Sequence, residues 1–197
     1  MKTNRRHYLL PALLAFSCFT LQASPTPASL TKEAREHAKA LGQQLSSTLQ
    51  SAIKQGGPVA GIRVCKDAAM PIAHSLSQDG WEVGRTSLRV RNPDNAPDTW
   101  EREQLLRFAE AMSASVAEGP LEATQWNEKT QTFRYMKAIG TGEVCTTCHG
   151  VDIADPVKAA ISQHYPEDSA TGFSEGDLRG AFTLFWHPEP VPADPAQ

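Results

Sequence analysis

The stretch Cys145-Thr146-Thr147-Cys148-His149 is the point from which this 197-residue sequence is best understood. Two cysteines three positions apart, followed directly by a histidine, form the C-x-x-C-H signature of c-type haem attachment. At this spacing the two thiols can add to the two vinyl groups of one haem, while the histidine binds the iron from one face. The motif therefore predicts one covalently bound haem c, with thioethers at Cys145 and Cys148 and with His149 as the proximal iron ligand.

Three other uses of the two cysteines have less support. A zinc site would need a second Cys/His pair at ligand spacing, and the sequence has no second C-x-x-C. A thioredoxin-type redox pair would follow an early strand of a βαβ unit, whereas this motif comes late. A disulfide between Cys145 and Cys148 would close a small, strained ring. Haem attachment remains the favoured interpretation of the motif.

The N-terminus predicts export. Met1–Arg6 is basic, Tyr8–Leu21 is mostly apolar, and Leu21-Gln22-Ala23 is an acceptable cleavage end. Residues 1–23 are therefore predicted to be a secretory signal peptide, too short for a confident membrane span. Haem c is joined to its protein after export, so the two signals agree on a periplasmic location.

Two features leave the export route and processing open. Asn4–Leu9 faintly resembles a twin-arginine signal, but a protein that receives its haem outside the membrane has no need to fold before export. Cys18 could mark a lipoprotein site, although Phe16 fits that pattern poorly. The general export route and an unlipidated protein are preferred.

Charge and length narrow the class of the mature protein. Removal of residues 1–23 takes away three basic residues and no acid, which leaves 16 basic against 22 acidic residues in 174, a net charge of −6. A nucleic-acid-binding role has no electrostatic support, while a weakly acidic surface could steer docking to a basic partner. The predicted organisation is a haem domain over residues 24–186, followed by a flexible, proline-rich tail at 187–197.

The mature chain alternates helices with short strands. Apolar residues three or four apart from Leu30 to Ile53 predict an amphipathic helix that ends at Gly56-Gly57-Pro58. A second helix is predicted from Pro58 to about Gln78, kinked or broken by Pro71. The further predicted elements are an extended stretch at 81–91, a third helix capped by Asp98 and Glu101 and ending at Gly119-Pro120 with Val116 facing inward, a hairpin of 122–126 with 132–139, a short helix at 155–163 and a closing strand at 178–186. Without a parallel βαβ rhythm, these elements predict an α+β domain built on an antiparallel sheet.

Cys65 is the one cysteine that the signal peptide and the haem motif do not use. It shares an apolar helix face with Ile62 and Ile72, which points it toward the core. On this pattern alone the favoured interpretation is a buried, inert thiol, with iron ligation as the alternative. Met70 and His74 are further ligand candidates of lower rank because they fall off the best apolar face.

Arginines cluster in the extended stretch that follows. Arg85, Arg89 and Arg91 form either a solvated strand face or a set of partners for the haem propionates, since a guanidinium fork suits a carboxylate. The solvated face is favoured for any one of them. Arg85 and Arg89 are nevertheless kept as candidate propionate contacts.

Ordered blocks across the chain resemble one bacterial pattern. The blocks are Val64-Cys65, Ala69-Met70-Pro71-Ile72-Ala73, Val83 to Pro93, Asn95, Pro97 to Glu101, Cys145 to Gly150, Tyr165 to Phe173 and Gly176 to Ala181. Together they resemble the single-haem c-type cytochrome family with a PAS-like sensor fold, over nearly the whole mature chain. The resemblance implies a PAS-like antiparallel sheet flanked by helices. It also implies a haem with His149 on one face and a cysteine thiolate, at the position of Cys65, on the distal face, which reverses the weighting of Cys65.

Two functions from different classes are expected. The first is a haem sensor or haem-binding module that responds to redox state or to a gas such as nitric oxide or carbon monoxide. The second is a small electron-transfer cytochrome, which a six-coordinate iron would suit. The expected partners are a redox protein or a diatomic ligand, with no nucleic acid, no membrane-integral segment in the mature chain, and a homodimer as a candidate assembly. An enzyme would need an open iron site and acid–base groups, for which His74, His164 and His187 qualify only by residue type, so no enzymatic activity is predicted.

Overall fold

A computed structural model describes residues 25–114 and 119–188. In chain order the elements are α1 (Pro27–Asp67), α2 (Ala69–Leu76), β1 (Trp81–Thr86), a 3-10 turn (Pro93–Asn95), α3 (Thr99–Ser113), β2 (Glu122–Asn127), β3 (Thr132–Gly140), α4 (Glu143–His149), α5 (Asp155–His164) and β4 (Leu178–Trp186). The four strands form one antiparallel sheet in the order β1-β4-β3-β2. The predicted α+β class with an antiparallel sheet is confirmed.

The sheet is covered on both faces. On one face α1 packs its buried stripe against large side chains of the strands: Leu30, Ala34, Ala38 and Leu41 against Trp81, Phe133, Tyr135 and Leu184. On the other face, Leu105 and Phe108 of α3 pack against Met136 and Ala181. Phe133 and Tyr135 share the α1 face, as the predicted hairpin requires, and that hairpin is confirmed by the pairing of β2 with β3.

Both predicted helix interruptions are present. At Gly57, φ is +72°, a conformation that glycine adopts without the Cβ penalty, so α1 bends there before Pro58 restarts the helix. The second interruption lies at Ala68, earlier in the chain than Pro71 itself. A proline ring clashes with the carbonyl four residues before it, which here is that of Asp67, the last residue of α1. Pro71 thus falls in the first turn of α2, where its missing N–H costs little.

Two predicted boundaries were wrong. The predicted extended stretch reaches Arg91, but its pairing with β4 ends at Thr86. At the next residue a side-chain hydrogen bond takes the place of the backbone ladder, since the Ser87 hydroxyl donates to the Arg179 carbonyl at 2.7 Å. α3 ends at Ser113, before the predicted Gly119-Pro120. The predicted inward-facing Val116, the signal peptide at 1–23 with Cys18, and most of the tail lie outside the described residues. None of the helices within 25–114 and 119–188 is long and apolar enough to cross a membrane.

The capping box of α3 supports a stability prediction. Asp98 accepts the Glu101 backbone N–H at 2.9 Å, and the Glu101 carboxylate accepts the Asp98 N–H at 3.0 Å. Replacement of Asp98 by alanine is expected to lower the free energy of unfolding by about 1 kcal/mol, measured by chemical denaturation, because an N-cap acceptor is lost. Glu103→Ala, which removes an exposed acid from the same helix, is the control and is expected to change little.

The same cap should respond to pH. Burial raises the pKa of Asp98, but the Glu101 backbone N–H and Arg134 outweigh it and hold that pKa below its usual value. A depressed carboxyl pKa stabilises the fold above the unfolded-state value of about 4, and the contribution is lost as pH falls through the folded-state value. The difference in free energy of unfolding between wild type and Asp98→Ala is therefore expected to shrink below about pH 4. An equal difference in that free energy at pH 7 and at pH 2.5 would contradict this expectation.

Candidate functional site

The C-x-x-C-H motif forms a short helix of its own. α4 spans Glu143–His149, which places Cys145 and Cys148 one turn apart on one side of the helix. Both thiols are free and partly buried. Cys148 packs against the side chains around Ile62 of α1, Ile161 of α5 and neighbouring residues, so the second cysteine of the motif faces the end of α1.

The imidazole of His149 is held in one orientation. Its Nδ1 lies 2.6 Å from the backbone carbonyl oxygen of Ala170 and must donate, because a carbonyl can only accept. Nε2 then carries the lone pair and has no hydrogen-bond partner among the described residues. The edge-on ring of Phe173 closes one side, with ring centroids 6.3 Å apart. This is the arrangement of a metal-binding histidine whose second nitrogen is fixed by a backbone acceptor.

Electrostatics keep this imidazole neutral. Burial lowers the pKa of His149 to about 2, and the charges of Arg179 and Arg91 contribute in the same direction. A neutral imidazole is the form that can bind a metal through Nε2.

Residues Asp168–Phe173 lie along the end of α4. The Phe173 N–H donates to the His149 carbonyl and the Gly172 N–H donates to the Gly150 carbonyl, each at 2.9 Å. Gly150 has no room for a side chain, since a Cβ there would collide with the carbonyl of Thr146. The chain can therefore turn sharply after His149 and run beside the segment that holds its ring.

Cys65 lies in the last turns of α1, close to the same place. Burial raises the pKa of its thiol, and the guanidiniums of Arg85, Arg91 and Arg179 offset only part of that increase. Burial likewise raises the pKa of Cys148, and the neighbouring Cys65 adds to the increase. The fold thus brings Cys65 and the C-x-x-C-H motif, 80 residues apart in sequence, within electrostatic range of each other.

Positive charge gathers around these sulfurs. The pKa of Arg85 is lowered by burial, and the ionisable side chains that oppose this decrease are those of Cys65 and Tyr165, not a carboxylate. Burial, followed by the charges of Arg91 and Arg85, lowers the pKa of Arg179 to about 10, with Asp168 as the opposing carboxylate. Partly buried guanidiniums that outnumber their acids favour an anionic ligand, because each charge taken from water needs a partner.

Arg89 stands somewhat apart from this cluster. Its guanidinium donates to the Thr171 carbonyl at 2.7 Å and stacks 3.6 Å from the centre of the Phe173 ring. Its role as a propionate contact stays a prediction, and so does that of Arg85. The lower-ranked ligand candidates Met70 and His74 are exposed on α2.

The residues present fit a haem. The two thiols have the attachment spacing, and the neighbouring imidazole presents an unpartnered Nε2. The thiol of Cys65 lies nearby, and the guanidiniums that exceed the acids around them suit the two propionate carboxylates of a haem. Sequence reasoning did not assign roles to Asp168, Ala170, Phe173 or Arg179. Ala170 acts through its backbone, which leaves no trace in residue type, whereas Arg179 could have been noticed as an arginine at the start of an otherwise apolar strand.

A cavity of about 540 Å³ has Arg89 and Phe173 among its lining residues, and the Phe173 ring is also the one that packs edge-on against His149. It is lined by residues of the loop after β1, the end of α3 and the start of β4. Neither the three free cysteines nor His149 is among its lining residues. The candidate site therefore rests on the arrangement of donor groups and not on this cavity.

Comparison with known proteins assigns the chain to a family. A family model described as Tll0287-like matches residues 27–186, which include every described helix and strand. The chain belongs to the Tll0287-like family. The crystal structure of the cyanobacterial heme-protein Tll0287 is similar to this chain, with 24% sequence identity and a TM-score of 0.56. The match covers 85% of this chain and 99% of that chain and shows that this Tll0287-like protein shares its fold. No curated protein was found to match.

Proposed function

We propose that this protein is a periplasmic c-type haem protein that senses redox state or a diatomic gas such as nitric oxide or carbon monoxide. Cys145 and Cys148 would hold one haem covalently, and His149 and Cys65 would bind its iron. The haem supplies a redox-active iron that can bind a small ligand. The surrounding sheet and helices would form a PAS-like sensor domain without enzymatic activity.

The single observation that carries the proposal is the fixed imidazole of His149. A ring that donates its Nδ1 proton to the Ala170 carbonyl and leaves Nε2 without a partner is prepared for a metal. Its position directly after two free thiols at attachment spacing favours haem over a bare ion. The structurally similar cyanobacterial protein is a heme-protein, which agrees with this assignment.

The environment of Cys65 favours sensing. Burial raises the pKa of its thiol and so favours the neutral form over the thiolate, and the charges of Arg85, Arg91 and Arg179 offset only part of this increase. A thiolate whose surroundings favour protonation dissociates from iron more readily than a thiolate whose charge is stabilised. Dissociation of the Cys65 sulfur from the iron would leave a position for a small ligand and would change the contacts of the C-terminal end of α1.

Electron transfer is the second candidate. If Cys65 and His149 both bound the iron, little would need to reorganise when one electron enters or leaves. The acidic balance of the mature chain would suit docking to a basic redox partner.

The proposal is tested on protein matured in a periplasm that carries haem c attachment enzymes. Mass spectrometry under denaturing conditions is expected to find one haem per chain, and absence of covalent haem would refute the c-type assignment. The reduced protein is then titrated with carbon monoxide and nitric oxide. A stoichiometric spectral change with loss of the thiolate ligand supports sensing. Fast electron exchange with a small redox mediator and no gas binding supports the carrier instead.

A further inference from the structure

Arg91 and Asp168 form a buried ion pair beside the candidate site. The Arg91 Nε and Nη2 atoms donate to the two carboxylate oxygens of Asp168 at 3.1 and 3.0 Å. Their side chains are 8% and 7% exposed, respectively. Such a pair is expensive to desolvate and is rarely the most stable choice for a core, so its geometry is informative.

The ion pair is part of a hydrogen-bond network around the backbone of one residue, Ala170. Arg91 Nη2 also donates to the Cys148 carbonyl at 2.7 Å and to the Ala170 carbonyl at 3.3 Å, so that one of its two hydrogens is shared between two acceptors. Asp168 accepts the Ala170 N–H at 2.9 Å. Ala170 is thus held on both sides, its N–H by Asp168 and its carbonyl by Arg91, and that carbonyl is the acceptor of the His149 Nδ1 proton.

The backbone strengthens the same arrangement. The Ser169 N–H and hydroxyl both donate to the Val90 carbonyl at 2.9 Å, which ties Asp168–Ala170 to the stretch that carries Arg91. Through the Cys148 carbonyl, Arg91 also reaches the second cysteine of the motif. One guanidinium therefore joins the attachment helix to the segment that orients the imidazole.

We propose that Arg91 and Asp168 are positioning residues for His149, which they hold in the Nδ1–H tautomer by fixing the Ala170 carbonyl. The tautomer matters because only this form presents the lone pair of Nε2. The inference deepens the proposed function, in which Nε2 of His149 binds iron, but its central claim concerns the histidine tautomer and can be tested without haem.

The test uses nitrogen-15 NMR of the histidine side chains in the full-length haem-free protein. Wild type is expected to show His149 as the Nδ1–H tautomer. Arg91→Gln is expected to lose that pattern in favour of the Nε2–H tautomer or a mixture. Arg91→Lys keeps the positive charge but loses the planar, bidentate guanidinium, and is expected to show the Nδ1–H tautomer of His149 only in part. Arg134→Gln, which removes an arginine from the distant pair with Asp98, is the control and should leave His149 unchanged.

A folding defect is handled by a second variant. Arg91→Gln leaves Asp168 buried without its partner, whereas Arg91→Gln with Asp168→Asn leaves no unpaired charge. Circular dichroism identifies the folded variants. If the folded double variant keeps the wild-type tautomer, the positioning role is overturned.

A second readout uses haem-loaded protein. Arg91→Gln is expected to weaken retention of His149 on the iron 10- to 100-fold, seen as a new ferric species in the electron paramagnetic resonance spectrum. An unchanged spectrum would overturn the role at the iron. If wild type takes up no haem, the proposed function fails, while the NMR comparison still decides the inference.

Discussion

Replacement of Cys65 by serine is expected to remove the low-spin thiolate signal from the ferric electron paramagnetic resonance spectrum of the haem-loaded protein. The reduction potential is expected to rise by roughly 0.1 V or more, since axial ligands set haem potentials over a range of about 0.8 V. Potentiometric titration of the same sample measures the shift. Among the proposed residues, this substitution should have the largest effect on the electronic state of the haem.

The physical reason lies in charge donation. A thiolate stabilises the oxidised iron and lowers the potential, whereas a serine hydroxyl of nearly the same size stays neutral near pH 7. Burial at the end of α1 disfavours a free thiolate at Cys65, and the three guanidiniums within range offset only part of that cost. In the haem-free protein the side chain is therefore a neutral thiol, which serine resembles. Loss of the thiolate should therefore change the potential more than it changes the stability of the haem-free fold.

Met70 offers the matched control. It lies five residues further along, is 56% exposed, and was the competing sulfur ligand on sequence grounds. Met70→Leu is expected to leave both the spectrum and the potential as in wild type. A thiolate signal that survives in Cys65→Ser, or a signal lost in Met70→Leu, would remove Cys65 from the site.

Most elements of the fold were predictable because their causes are local. The capping box of Asp98 and Glu101, the glycine pair before Pro58 and the alternation of the 122–139 hairpin each act within a few residues. The helix break at Ala68 was predictable in kind but displaced in position. The clash of a proline ring acts on the residue four places earlier, so the helix ends before Pro71 and not at it.

The end of β1 and the burial of Arg91 could not be predicted from local sequence. An arginine in an alternating polar stretch favours a solvated strand face. Here the chain leaves the sheet after Thr86, and Asp168, 77 residues away, supplies the carboxylate that allows Arg91 to be buried. A pairing over that distance leaves no periodic signal in either segment.

The candidate site likewise has a part that residue types predict and a part that only the fold reveals. Cysteines and histidine at attachment spacing carry their chemistry in residue type and were predicted from the sequence. The acceptor that fixes His149 is the backbone carbonyl of Ala170, and any residue could supply it. Only the fold shows that this carbonyl lies beside the imidazole, and only the fold brings Cys65 near Cys148.

Replacement of both Cys145 and Cys148 by alanine is expected to abolish covalent attachment of haem. The expected result is a chain without added haem mass under denaturing conditions, with all its haem extractable into acidified organic solvent. Each single variant keeps one thiol at attachment spacing from the same haem and should retain a reduced covalent yield. The double variant is therefore the decisive one.

The two cysteine experiments separate attachment from ligation. Neither alanine substitution touches His149 or Cys65, so haem added to the folded double variant should still bind and show the wild-type low-spin signal. Cys65→Ser should do the reverse, keeping covalent haem while losing the thiolate signal. If Cys65→Ser abolished attachment, Cys65 would be needed for folding or maturation and not for ligation alone. Covalent haem in the double variant would show that another side chain forms the bond, and the assignment of α4 as the attachment helix would fall.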